Sequence, residues 1–174
     1  MTRARKTNPT IRDASRRDLP ALAAIRYNEA FHRDRIRDAD GRHLRYLVID
    51  WKDRIVGFGL LVLSQPPTWP KFTHLPQLMD LFVEPRLRGR GLGTALILAM
   101  ERRARRAGKT ETRLGVDPRR NRAAMLLYER LGYVPIDRKP VRDTWRAVDS
   151  KGVVHAGVEY LIHMRHILKL RQGG

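Results

Sequence analysis

Apolar positions recur along the chain with a period that keeps changing, and the changes mark the elements. Thr10 to Asp13 reads as a short first strand. Leu19, Leu22, Ala23 and Ile25 share one face of a helix. Ser15 or Asp18 can cap that helix, and Pro20 falls in its first turn, where a missing N–H costs nothing. Asn28 to Gly41 is polar and predicts a second short helix and a turn. Leu44 to Asp50 and Ile55 to Ser64 are β-rich runs joined at Lys52 and Asp53, which predicts a hairpin. The run Gln65-Pro66-Pro67-Thr68-Trp69-Pro70 is too rich in proline for regular structure and reads as an exposed loop. Leu78 to Val83 is a third apolar run, ended by Glu84-Pro85.

From Leu92 to Ala107 the period turns helical. Ala95, Leu96, Leu98, Ala99 and Met100 are its core candidates. Glu101 to Arg106 is expected to be a solvated last turn whose arginines suit the negative end of the helix dipole, and Gly108 is a C-terminal cap. Thr110 to Val116 returns to strand. Asn121 to Leu131 is a helix, capped by Asn121 and closed by Gly132. Thr144 to Asp149 and His155 to Arg165 predict two last strands around a turn at Ser150-Lys151-Gly152. The order is that of a mixed α/β chain. A parallel pairing of the 78–83 and 111–116 strands through the 92–107 helix would be right-handed.

The length of 174 residues suits one domain with one core; residues 1–9 read as a loose basic tail and 10–170 as the domain. The chain has no Cys, which excludes a disulfide framework, a thiolate zinc site and a thiol nucleophile. With no apolar leader after the basic N-terminus and no run of membrane-spanning length, a cytoplasmic location is expected and no membrane partner. Lys and Arg number 36 against 18 Asp and Glu, a formal net charge of +18. Such a field favours anionic partners, including nucleic acid. The basic residues are spread along the whole chain, however, and aromatic residues make up only 7%, too few for a base-stacking platform. Nucleic acid is therefore not the favoured partner.

One segment carries chemistry. Val83-Glu84-Pro85-Arg86-Leu87-Arg88-Gly89-Arg90-Gly91-Leu92-Gly93-Thr94 joins a strand to a helix. Its glycines allow positive φ and close approach of a ligand. The helix behind it supplies unpaired N–H groups and the positive dipole end, which together make a phosphate site. Arg88 and Arg90 add charged donors. A P-loop would need Gly-Lys-Ser/Thr here. A dinucleotide fingerprint would need Gly or Ala where Thr94 stands. Alone, the loop indicates only an anion at a helix N-terminus.

A second segment, Asn121-Arg-Ala-Ala124-Met-Leu-Leu-Tyr128-Glu-Arg-Leu-Gly132-Tyr133, follows one strand later. The pair resembles the GNAT acyltransferase superfamily. Arg88, Gly91 and Gly93 match its Arg/Gln-x-x-Gly-x-Gly/Ala turn. Asn121, Ala124, Tyr128, Gly132 and Tyr133 match its Asn-x-x-Ala-x-x-x-Tyr motif with the following Gly-Phe/Tyr. Ile11-Arg12-Asp13-Ala14 with Asp18-Leu19 is similar to the family's opening, so the resemblance covers most of the chain. The segment Leu78 to Val83 is also similar to that of polyamine acetyltransferases. Those carry Glu before the Asp where this chain has Met79, and a +18 protein repels a polycation.

The resemblance implies a three-layer α/β fold: a central mixed, mostly antiparallel sheet, helices on both faces, and a parallel pair splayed apart in the middle. It implies acetyl-CoA as acyl donor and no metal. The pantetheine arm would lie along Leu81, Phe82 and Val83. The pyrophosphate would lie on Arg88, Gly89, Arg90, Gly91, Leu92, Gly93 and Thr94. Asn121 would help to hold the arm, and Tyr128 would protonate the leaving thiolate. The acceptor would be an amine, on a small molecule or a protein. About one lysine-like amine in two thousand is neutral at pH 7, so a proton acceptor is required. Asp80 is the leading candidate, because a carboxylate inside an apolar strand is costly unless it faces a polar cleft; a structural hydrogen bond is the equal alternative. Met79, Gln77 and Gly115 cannot act as a base, which leaves a water relay open. His155, His163 and His166 show no zinc spacing and read as scattered surface residues. Trp69 and Phe72 could wall an acceptor pocket or pin their loop to the core. A homodimer through the last strands is an assembly the fold allows. The competing readings are a catalytically inactive acyl-CoA-binding module and a basic nucleic-acid- or ribosome-associated protein.

Overall fold

The computed structural model describes residues 8–148 and 153–169. Most of the expected basic tail and the turn at 150–152 lie outside them. The chain forms β1 (Thr10–Asp13), α1 (Leu19–Ile25), α2 (Glu29–Asp38), β2 (Leu44–Trp51), β3 (Arg54–Val62), β4 (Gln77–Val83) and α3 (Leu92–Arg106). There follow β5 (Glu111–Val116), α4 (Arg122–Arg130), β6 (Val134–Pro135), β7 (Val141–Val148) and β8 (Val154–Ile167). The eight strands form one sheet in the order β1-β2-β3-β4-β5-β8-β6, with β7 paired to β8. All pairings are antiparallel except β4 with β5. The three-layer α/β expectation therefore holds.

Strands β2 and β3 are buried on both faces, which is why they read as nearly continuous apolar runs. Leu44, Tyr46, Val48, Phe58, Leu60 and Val62 pack toward α1 and α2 around Leu22. Leu47, Ile49, Leu61 and Leu78 pack toward α3 around Leu96, Ile97 and Met100. At the entry to α1, the buried carboxylate of Asp18 accepts both Arg12 Nη atoms (2.8 and 2.7 Å) and the Ser15 N–H (2.7 Å). Asn28 caps α2 by accepting from the Phe31 N–H.

Along α3 the core face is turned from the expected one. Ile97 is buried, and Leu98 is exposed at 39%. Glu101, expected in a solvated turn, is buried at 2%. It accepts hydrogen bonds from Tyr133 Oη (2.9 Å) and His166 Nδ1 (2.8 Å), and Thr112 Oγ1 lies 2.8 Å from Tyr133 Oη. A charge can occupy that position because these partners replace the lost water. Strand β8 is longer than expected. Its second half pairs with β5 and its first half with β7, so one strand of 14 residues serves two neighbours.

The break in the sheet lies in β4. Phe58 pairs with Phe82 but Leu60 pairs with Met79, so Gly59 faces two residues, Asp80 and Leu81. This is a β-bulge, and Asp80 carries the positive φ of 52° that it requires. β4 and β5 share a single paired position, Gln77 with Arg113, ahead of the bulge, and none from the bulge onward. The bulged strand is held on its other side by β3, where Gly57 sits against it. A Cβ on Gly57 would stand 2.5 Å from the Phe82 carbonyl oxygen. Gly57→Ala is expected to push β3 from β4 and lower stability by about 2 kcal/mol, read as a lower urea midpoint at unchanged slope.

Candidate active site

Where β4 and β5 part, a cavity of about 480 Å³ opens between β4, the start of α3 and α4. One wall is Leu81, Phe82 and Val83; another is Arg88, Gly89 and Gly91 to Thr94, with Leu96 and Ile97 below. Asn121, Ala123, Ala124, Leu127, Tyr128 and Arg130 of α4 form the third.

Gly89 and Gly91 take φ of 74° and 80°, and a Cβ at either would meet open space rather than protein. The backbone is thus bare where the cavity begins. Gly93, by contrast, lies within α3 and needs no positive φ. Gly91 caps α3 without a side chain, and its carbonyl accepts the Ala95 N–H. The N–H groups of Leu92, Gly93 and Thr94 come before Ala95, the first N–H with an intrahelical acceptor, so the positive end of a 15-residue helix faces the cavity. Arg88 Nε donates to the Val83 carbonyl (3.1 Å) and its guanidinium stays beside the Phe82 ring. Arg90 turns the other way, over Trp51 at 5.9 Å, and does not line the cavity.

On α4, Asn121 makes no side-chain cap bond, contrary to expectation. Asp117 organises that turn instead, accepting the N–H groups of Arg119 (2.9 Å) and Arg120 (3.2 Å). The Asn121 side chain is left to the cavity it lines. Tyr128 is buried at 8% with its ring near Tyr133, and its hydroxyl bonds to no other described residue. Burial pushes its phenol up to about 12. Ala123, Leu127 and Arg130 also line the cavity without having been singled out in the sequence. Their three- and four-residue spacing with Ala124 and Tyr128 was the available signal.

Asp80 is not in the cavity wall. Its carboxylate accepts from Arg35 Nε at 2.9 Å on the α2 side of the sheet. Arg35 in turn lies over Phe31 and Trp69, both at 4.7 Å. Trp69 stacks on Phe72 and donates Nε1–H to Asp38, which pins the proline loop to α2. Nearby, His32 is fully buried and bridges the Arg26 carbonyl (Nε2, 2.6 Å) and Tyr46 Oη (Nδ1, 2.8 Å). A carbonyl can only accept, so Nε2 carries the proton and Nδ1 accepts from the tyrosine. This contact holds the α1–α2 turn, where Tyr27 has φ of 63°. Of the histidines expected at the surface, His166 is engaged by Glu101 and His163 by Asp137.

Residues 8–133 match the acetyltransferase (GNAT) family. The chain belongs to that family. It is an N-acetyltransferase of the GNAT type, and the family uses acetyl-CoA. No curated protein matches the sequence significantly. Among solved structures, it is similar to a ribosomal-protein-alanine N-acetyltransferase from Brucella melitensis. The identity is 22% and the TM-score 0.64, over 91% of this chain and 99% of that one. It is also similar to yncA from Salmonella typhimurium, solved with its cofactor acetyl-CoA (20%, TM-score 0.64, 97% and 98%). A third is the ribosomal-protein-S18-alanine N-acetyltransferase from Escherichia coli (21%, TM-score 0.63, 96% and 97%). At these identities the likeness is one of fold. Among the described residues of this GNAT chain, no helix is long and apolar enough to cross a membrane, and no three His, Cys, Asp or Glu side chains are grouped to hold a metal ion.

The hydroxyl of Tyr128 holds nothing in place. Tyr128→Phe is therefore expected to change stability by less than about 0.5 kcal/mol, a shift of about 1–2 °C in Tm or less, measured by calorimetry of the free protein.

Proposed function

We propose that the chain transfers the acetyl group of acetyl-CoA to a primary amine by direct attack, with Tyr128 as general acid. The supporting observation is that a partnerless phenol and a bare glycine turn at a helix N-terminus line one cavity. The pyrophosphate would take the N–H groups of Gly89 to Thr94 and the charge of Arg88, and the pantetheine arm would take the exposed backbone of Leu81 to Val83. Backbone donors there are free because β5 has parted from β4. Asn121 would hold the arm with a side chain that no helix cap engages.

The chemistry needs an acid at the sulfur. As the amine nitrogen bonds to the carbonyl carbon and the C–S bond breaks, the thiolate must be protonated to leave cleanly. Burial disfavours the phenolate and the thiolate alike, so the proton transfer from Tyr128 stays matched inside the cavity. The inactive-module reading is disfavoured by the same residue, since its phenol lines the cavity beside the glycine turn instead of being tied into the core.

The test is CoA release by purified protein across a panel of amines, amino acids, aminoglycosides and peptides. Tyr128→Phe is expected to lower kcat by about 10²-fold or more with the KM for acetyl-CoA unchanged. A wild-type protein that binds acetyl-CoA and releases no CoA with any acceptor would move the assignment to the inactive module. The pH dependence has a defined sign. A general acid works while protonated, and burial raises this phenol from its ordinary value to about 12. Ionisation of Tyr128 should thus cause no fall in kcat on the alkaline side until the pH nears that value.

A further inference from the structure

Direct attack requires a base, and the carboxylate of Asp80 is occupied by Arg35. On the same face of the sheet, across the split, lies a cluster with no role so far. Its members are His163 on β8, Asp137 after β6 and His74 before β4. Resting on the acyl-transfer reading above, we infer that His163, oriented by Asp137, is the base that removes the proton from the acceptor's ammonium group.

The first ground is hydrogen bonding. Asp137 Oδ2 accepts from both the His163 backbone N–H (2.8 Å) and ring Nδ1 (2.6 Å). Burial works against the charge of Asp137, but these two bonds outweigh it and hold its carboxyl below the ordinary range. An ionised carboxylate can only accept, so Nδ1 bears hydrogen and a neutral ring has its lone pair on Nε2. A carboxylate that fixes an imidazole with one nitrogen free is the arrangement a general base needs.

The second ground is the neighbour. The His74 ring stacks on His163 with centroids 4.0 Å apart, and its Nδ1 is buried without a partner. Burial, then His163 and Arg113, lower the proton affinity of His74. A neutral ring therefore walls one side of His163 and adds no second charge. Two arginines are among the other charged groups on this stretch of the sheet. Arg113 on β5 is paired with Glu111, and Arg165 follows two residues along β8.

The third ground is place. Neighbouring Ile162 and Met164 are buried in the core under α3, so His163 points to the opposite face, which α1 and α2 share. It pairs with Gly115, two residues along β5 from Arg113, where the split begins. Gly115 presents no side chain there; a Cβ would come 3.6 Å from His163 Cδ2. The ring thus borders the opening on the face away from the cavity, and its side chain keeps 12% exposure.

The protons balance. His163 Nε2 takes one from the ammonium and later gives it to solvent. The neutral amine forms the C–N bond and the C–S bond breaks. Tyr128 protonates the sulfur, and the second nitrogen proton restores the phenol through solvent. The products are amide, CoA thiol and one released proton.

The test is the pH profile of kcat at saturating acceptor, using an amine that the wild-type protein acetylates. In wild type, kcat should rise with pH and then level off as the base becomes fully deprotonated. His163→Gln should lower kcat by about 10²-fold or more, lose that plateau and keep climbing toward the amine's own pKa. Acetyl-CoA affinity by calorimetry should be unchanged. Imidazole added to His163→Ala should restore part of the rate, which a structural role would not permit. Asp137→Asn, which keeps the ring, should lower kcat and move the bend to lower pH, because the imidazolium loses its counter-charge. Wild-type kcat and an unmoved bend in His163→Gln, or in Asp137→Asn should the first variant not fold, overturn the assignment while leaving acetyl transfer intact. A wild-type protein without turnover overturns the acetyl-transfer reading itself.

Discussion

One extra residue in β4 governs the molecule. A strand with Asp80 in the left-handed region cannot keep register with both neighbours. It keeps β3, where Gly59 accepts two residues opposite one, and gives up β5 after a single pairing. The backbone groups released there border the cavity. A non-glycine residue at such φ carries strain of about 1–3 kcal/mol and persists only when its surroundings over-determine it. Here the Arg35 guanidinium holds the Asp80 carboxylate, while Phe31 and Trp69 hold the guanidinium. The ion pair is thus a clamp on the strand, and the cavity on the other face depends on it.

The two faces of the sheet divide the work. On one, α3 and α4 present a helix N-terminus, a bare glycine turn and a phenol to a single cavity. Behind them the bonds among Glu101, Tyr133, Thr112 and His166 tie α3, the end of α4, β5 and β8 together. On the other face, α1 and α2 cover only the first half of the sheet. The second half carries polar groups, among them His163 and Asp137.

The large positive charge is dispersed rather than concentrated. Arg12, Arg35, Arg37, Arg45 and Arg113 are paired with carboxylates, and Arg26 lies over Tyr27 and Phe82. The exposed pairs, such as Arg37 with Asp34, contribute little stability each. The excess that remains suits the capture of a polyanionic molecule at long range, which accords with a donor carrying phosphates.

Element positions were legible from apolar period, proline and glycine alone, because these act over a few residues. So was the glycine turn followed by a helix, since positive φ and unpaired N–H groups are local properties. Rotation of α3 about its axis was not, and Glu101 therefore looked solvated: its partners lie on β8 and just past α4, far along the chain. Asn121 looked like a cap because Asp117, which does that work, sits outside the helix. Asp80 was visible as an anomaly, but whether its carboxylate served a cleft or a clamp depended on Arg35, 45 residues away. His163 carried no signal, since what distinguishes it is a carboxylate from one loop and a ring from another. The sequence by itself determined which segments fold and where an anion site can form, through local backbone chemistry. Tertiary structure decided which polar side chains are occupied and which are free, because that depends on groups that only folding brings within hydrogen-bond reach.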